Sequence, residues 1–377
     1  MKIALISCTK LQRQYECPAR ELYSESAWFR EAYWYAKLVV DKIFILSSEY
    51  GLVPEGMVII PYDNDLGDIP AAERREWAER VLNELRKVSD LEHDEFIVLA
   101  GKSYYENLLP HLVHVELPLG HMRQGEQRAE LRRLIKPEME SNNALALHML
   151  FNDLPRFDWK MIDQIPYRNG IYVMFEKGES YHSMDRIVRI GTNRGQDRLL
   201  ERLRDHFVKE DADSSILRKK IGRAFLNMGL NPYLQVWEID MHYSENIRNF
   251  GHLINKELDT KLEARISEYL RKNMTFICIP VGEEAERLRL EEGLIASLTM
   301  DPSFGPSSNW LGLNSPMPEI ASSGLWNSQH LHGEPLSPEE LERVKKLARF
   351  GSERYTDNTG HAARVRGAGN DFIGKII

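Results

Sequence analysis

Residues 169–207 read NGIYVMFEKGESYHSMDRIVRIGTNRGQDRLLERLRDHF, and the fold is decided by how this stretch is parsed. Residues 170–175 form a short apolar run rich in aromatic and β-branched types, the composition of a strand. A polar loop is expected over 178–185. Residues 186–191 then alternate charged with β-branched side chains, the period of a half-buried strand. From Leu199 to Phe207 the pattern turns helical, and Arg198, Arg202 and His206 recur every fourth residue on one helix face. A β-hairpin feeding a basic helix is predicted.

The chain ahead of this stretch is acidic, with 18 Lys and Arg against 25 Asp and Glu in residues 1–155. Lys2–Ser7, Lys42–Ser47 and 95–100 are apolar runs without polar alternation, as expected of parallel strands covered on both faces. Helical patterns at 26–38 and Ala71–Val88 fall between them, the second opened by Pro70. Residues 114–117 offer a fourth strand and 125–134 a closing helix. This alternation predicts an α/β domain over residues 1–140, built on a doubly wound, mainly parallel sheet.

Such sheets take ligands at the carboxyl ends of their strands. Polar residues collect there: Ser7, Cys8 and Lys10 after the first strand, Ser47 and Tyr50 after the second, Gly101 and Tyr104 after the third. Arg20, Tyr23, Tyr62 and Asp63 come from the segments between. Singly, each is as well explained as a helix cap or strand end. Together they predict a pocket for a small polar group such as a base or nucleotide.

Ser141-Asn142-Asn143 marks a change of composition, and residues 141–156 are read as a linker. A second domain is expected over 157–330, with a charged amphipathic helix at 258–272, a strand at 274–281 and a helix at 283–300. Residues 331–377 are read as a helix and a basic, Gly-rich, flexible tail.

Composition bounds the function. With 42% hydrophobic and 28% charged residues in a chain of 377, wholesale disorder is excluded. No apolar run approaches the roughly 20 residues that cross a bilayer, and the N-terminus lacks a signal-peptide pattern. Three cysteines at 8, 17 and 278 give neither a disulfide framework nor zinc-ligand spacing, so a cytoplasmic protein with reduced thiols is expected. A net charge of −8 excludes a protein that coats nucleic acid indiscriminately. Positive charge is concentrated instead, with 11 basic against 6 acidic residues over 186–223 and 8 against 3 over 343–377. Phosphate contacts need that local charge.

Gly170-Ile171-Tyr172 and Arg189-Ile190-Gly191 resemble the paired signatures of the GIY-YIG nuclease family, and Arg202 fits the family's helix arginine. The resemblance implies a C-terminal α+β nuclease domain. Glu291, three residues before Leu294-Ile295, resembles the family's metal-binding glutamate, and Asn309 stands where an asparagine is expected after that helix. The implied catalytic set is Tyr172, Arg202, His206, Glu291 and Asn309, with Mg²⁺ or Mn²⁺ at Glu291. A single carboxylate makes a weak site that relies on water and substrate phosphate.

Arg189 departs from the pattern, because the second signature usually carries tyrosine. A guanidinium does not deprotonate water at neutral pH, so the base is Tyr172 or His206, and Arg189 is read as a phosphate contact. Arg198, Arg218, Lys219 and Arg223 are read the same way; such contacts position but do not specify. Trp310 and Trp326 are expected in the core, with base stacking as the alternative. Residues 1–135 resemble an uncharacterised bacterial domain family through Ser7-Cys8-Thr9-Lys10, Ala19-Arg20-Glu21-Leu22-Tyr23 and the run from Leu46 to Leu52; that likeness brings no activity.

The expectation is a metal-dependent endonuclease that cuts DNA before RNA, conditional on a modified or damaged base read by the N-terminal domain, in defence or repair. A sharper form makes that domain a glycosylase with Asp63 as its carboxylate and Tyr50, Tyr62 and Tyr104 stacking on the base. The rivals are a DNA-binding module that has lost its base, and a nucleotide-processing domain with a nuclease effector. A homodimer is compatible with the sequence.

Overall fold

The computed structural model describes residues 1–359; the basic tail expected beyond them lies outside the described residues. The chain divides into two units, one built from Met1–Ser141 with His182–Met184, the other from Asn142–Tyr181 and the described residues from Asp185 onward.

In the first unit β1 (Lys2–Ser7), β2 (Lys42–Ser47), β3 (Gly51–Pro54), β4 (Glu95–Leu99) and β5 (His114–Glu116) form one sheet in the order β3-β2-β1-β4-β5. β1 pairs parallel with β2 and β4, and β4 with β5, so the sheet is mainly parallel, as expected. The apolar runs explain why: five of six residues in β1 and in β2 are buried. Helix α1 (Ala27–Val39) is capped by Ser26, whose Oγ accepts from the Phe29 amide, and α2 (Ala71–Val88) follows Pro70. The third helix, α3 (Gln124–Ser141), runs through Pro137 and so extends past the expected end.

The antiparallel strand β3 was not foreseen. Gly51 sits at φ +75, a left-handed turn that reverses the chain from Ser47 into β3.

The second unit opens with a correction. Residues 143–152, read as linker, are helix α4 (Asn143–Asn152), started by Asn142 Oδ1 accepting from the Leu145 amide at 2.9 Å and buried along most of its length. β6 (Gly170–Tyr181) and β7 (Met184–Thr192) lie side by side, and β8 (Met274–Pro280) pairs antiparallel with β6 on its other edge. The strands leave only His182 and Ser183 between them, both at positive φ, so a two-residue turn replaces the expected polar loop.

Around this sheet stand α5 (Leu199–Phe207), α6 (Ile216–Met228), α7 (Lys256–Asn273), α8 (Glu284–Thr299), the short α9 (Pro318–Ser323) and α10 (Pro338–Thr359). Trp310 and Trp326 are core residues, with centroids 5.1 Å apart and both indole N–H groups donating to the buried Glu176 carboxylate, at 3.0 and 3.3 Å. Base stacking is thereby excluded for both.

Candidate active site

The hairpin places Tyr172 and Gly191 against each other on adjacent strands. A Cβ on Gly191 would overlap the Tyr172 phenol, so the second signature's glycine is the seat on which the first signature's tyrosine rests. Gly170 fits the opposite edge for the same reason, since a Cβ there would meet the Ile279 carbonyl of β8.

The Tyr172 hydroxyl lies 2.8 Å from His206 Nε2, and His206 Nδ1 lies 2.7 Å from Ser215 Oγ. His206 is fully buried. Burial, and then the charges of Arg202, Arg189 and Arg218, hold its imidazole well below the ordinary pKa. It is therefore neutral at neutral pH, with one ring nitrogen protonated and the other a hydrogen-bond acceptor.

Glu291 is delivered by α8. That helix is fastened to the turn after β7 by Glu284, which accepts from the Gly195 amide at 2.9 Å, and by Arg287, which donates to the carbonyls of Gly195 at 2.8 Å and Val281 at 3.2 Å. Burial holds the Glu291 carboxyl above the usual carboxylate range, while Arg189, His330, Arg194 and Arg202 act against that shift. Among the described residues Glu291 makes no side-chain hydrogen bond or ion pair.

Tyr172, Arg189, Arg198, Arg202 and Glu291 line one cleft of about 1000 Å³, together with Arg194, Lys209, Lys220, Asn327 and His330. Several of its charges are paired: Arg198 with Glu201 at 2.9 Å, Lys209 with Asp205 at 2.5 Å, Arg289 with Glu340 at 2.9 Å. Arg202 donates to the Ser214 carbonyl at 3.0 Å, and neither it, Arg189, Arg194 nor Lys220 is ion-paired with a carboxylate among the described residues. The cleft thus offers unneutralised cations around one unpaired acid, the complement of a phosphodiester with a hard cation.

Four expectations are corrected. Asn309 is exposed and does not line the cleft. The asparagine that does is Asn327, whose amide both donates to the Ile190 carbonyl at 2.8 Å and accepts from its N–H at 3.0 Å, bracing residues 326–328 along β7. Arg218 is fully buried and bonded to Glu263 Oε2 at 2.9 and 2.5 Å, so it contacts no phosphate. Lys219 is held by Asp213 at 2.5 Å, and Arg223 by Glu238 at 2.6 and 2.5 Å, and neither lines the cleft.

Lys220 and Asn327 line the cleft without standing in any of the expected site patterns. Helical spacing marked Lys220, three residues after Leu217 and four before Ala224, both fully buried.

In the first unit the structure brings together part of the expected pocket. Tyr62 Oη lies 2.8 Å from Tyr23 Oη and 2.7 Å from Ser47 Oγ, and the Tyr50 ring meets Tyr62 edge-on at 5.5 Å. Cys8 Sγ lies 3.1 Å from Tyr104 Oη. Burial pushes the Tyr23, Tyr62 and Tyr104 phenols up, so all three stay protonated. Ser7 is buried and Gly101 exposed at the same strand ends. Other residues stand apart: Lys10 pairs with Asp65 and Asp68, Arg20 with Glu21, and Asp63 is exposed.

The family model described as a GIY-YIG domain matches residues 156–352. A family of unknown function, DUF6884, matches residues 3–133. No curated protein and no solved structure matches the chain.

Proposed function

Because the chain belongs to the GIY-YIG family, we propose that its second unit is a divalent-metal-dependent endonuclease acting on DNA through the cleft around Tyr172, Arg202 and Glu291. The observation that carries this reading is their convergence: residues from β6, α5 and α8, far apart in the chain, line one cavity.

Tyr172 and His206 are read as a proton relay. The phenol takes a proton from the attacking water while its own passes to His206, whose other nitrogen is held by Ser215 at 2.7 Å; burial and the nearby arginines oppose that transfer in the free protein, and the negative charge of the bound phosphate offsets them. This answers the presence of Arg189 in the second signature, because the base resides in the first. Arg202 and Arg189 stabilise the charge that develops on the phosphate oxygens; removing one such contact typically costs about 10²–10³ in rate.

GIY-YIG nucleases are generally divalent-metal dependent, and the donor set here fits such an ion: a carboxylate without a partner among the described residues, in a cleft of about 1000 Å³, suits Mg²⁺ or Mn²⁺, which keep most of their waters. Glu291 would hold the ion, which when bound supplies Lewis-acid polarisation of the phosphate.

The first unit is read as the element that makes cutting conditional on a base. Support comes from its tyrosine and cysteine cluster at the carboxyl ends of β1 and β2, where such sheets take ligands. Base excision is not part of the proposal, since Asp63 is exposed and makes no bond to the cluster among the described residues.

The test is cleavage of plasmid DNA, unmodified and base-modified, by the full chain with Mg²⁺ or Mn²⁺ beside Glu291→Ala. A loss of about 10²-fold or more in Glu291→Ala is expected; equal cutting by both proteins refutes the nuclease assignment. Tight DNA binding without cutting would instead identify a binding module.

A further inference from the structure

Lys220 has no part in the scheme above, although it lines the same cleft and is 3% exposed. An ammonium carries three N–H donors. Two are spent, on the Trp326 carbonyl at 3.0 Å and on Ser328 Oγ at 2.9 Å. No third hydrogen bond is made among the described residues. Arg189 Nη1 reaches the same Trp326 carbonyl, also at 3.0 Å, and its buried Nε has no partner.

Two buried cations therefore share one neutral oxygen, and neither is bonded to a carboxylate among the described residues. Elsewhere in this unit fully buried arginines are matched along the whole guanidinium, Arg186 and Arg218 chiefly by Glu179 and Glu263, and Arg287 by the carbonyls of Asn193, Val281, Gly282 and Gly195. A purely structural lysine would be expected to follow that habit. An arrangement of this kind is built to meet an anion that arrives from outside.

The surroundings also decide how tightly Lys220 keeps its proton. Arg189 faces it from β7, Arg223 lies on its own helix, and Glu319 faces it from α9. Burial, then the two arginines, pulls its pKa down to about 7, with Glu319 acting in the opposite sense. A donor poised near the operating pH gives up a proton readily.

We propose that Lys220 is a further catalytic residue of the cleavage, the general acid that protonates the leaving oxygen while Arg189 holds the adjacent phosphate oxygens. The inference rests on the nuclease reading. In the step, the bond from water oxygen to phosphorus forms and the bond to the leaving oxygen breaks with its electron pair. That oxygen takes its proton from Nζ, the water's proton goes to Tyr172 and His206, and solvent recharges Lys220. Casting Lys220 as the base would leave two bases and no acid.

The test uses the full chain and a duplex with one cleavable linkage, made with oxygen or with sulfur at the leaving position. A thiolate, whose conjugate acid has a pKa of about 8.5 in cysteine, departs without help. Lys220→Met should cut the oxygen linkage about 10²-fold or more slower than wild type, yet cut the sulfur linkage at nearly the wild-type rate. Lys220→Arg, which keeps the charge but does not release a proton, should show the same split. Equal losses on both linkages, or rescue by Lys220→Arg, would overturn the acid role and leave a phosphate holder. Failure of the wild-type chain to cut either linkage would instead bring down the nuclease reading, and this inference with it.

Discussion

Arg218 separates two accounts of the basic stretch after α5. Its guanidinium is fully buried and satisfied on all sides: Nε and Nη2 donate to Glu263 Oε2 at 2.9 and 2.5 Å, Nη2 to Ser267 Oγ at 3.0 Å, and Nη1 to the His206 carbonyl at 3.1 Å. Glu263 also accepts from the Ala212 amide at 2.6 Å, so the pair ties α6, α7 and the preceding loop together. Breaking a buried pair by removing one partner costs about 3–5 kcal/mol, because the other charge is left uncompensated. For Arg218→Met that loss should lower the melting temperature of the second unit by roughly 6–20 °C, at 2–4 °C per kcal/mol for 150–250 residues. Calorimetry of the full chain measures it. The salt dependence of DNA binding, measured at a temperature where the variant is folded, should keep its wild-type slope. A phosphate-contacting arginine behaves in the opposite way: melting unchanged, slope reduced by about one. That result would refute the assignment of Arg218 as scaffold.

Two further outcomes follow from the site. Gly191→Ala should displace the Tyr172 phenol, costing about 1–3 kcal/mol of stability by overpacking and on the order of 10²-fold in cleavage; near-wild-type cutting would show that the seat is not needed. His206 is kept neutral by burial, so its pKa in the folded chain lies below that of the unfolded chain. The sign then follows: the unfolded state binds more protons in acid, so this contribution is intact above about pH 6.5 and is lost as the pH falls toward the folded value. His206→Gln should flatten that acid limb in melting measured against pH, and an unchanged limb would exclude His206 as its source.

The elements most legible in the sequence were those whose pattern is local. Ala71–Val88 announced itself by helical period after Pro70, and Lys2–Ser7 by an unbroken apolar run. Features that depend on distant partners were not legible. Residues 143–152 are apolar nearly all round, which marks a buried helix, but the preceding Ser-Asn-Asn suggested a linker; Asn142 is in fact its cap. Tyr172, Arg202 and Glu291 share a cleft, as the resemblance implied. Asn309 and Asn327 are equally plausible by distance along the chain, and only the pairing of Asn327 with Ile190 across β7 chooses between them. By charge type alone the basic run 218–223 looks like one surface. Arg218 and Lys220 lie about 200° apart on the helix, and both are buried because opposite faces of it are covered; the acid that claims Arg218 lies 45 residues away.

Charge pairing therefore sorts the second unit better than charge type does. Leaving an ion buried and unpaired costs several kcal/mol, and the fold avoids that cost at Arg186, Arg218 and Arg287 with carboxylates or carbonyls, and at Glu176, Glu179 and Glu263 with donors. At Arg189 and Lys220 the compensation is thin, one shared carbonyl and the Ser328 hydroxyl, and Glu291 has no bond among the described residues; all three line the cleft. Two cations and one acid without ionic partners among the described residues are destabilising in the free protein, and they become favourable together when a phosphate brings its negative charge and a hard cation meets the carboxylate. The cost carried by the empty cleft is thus the measure of its preorganisation: groups that need not turn or shed partners when the scissile phosphate arrives can act on it at once.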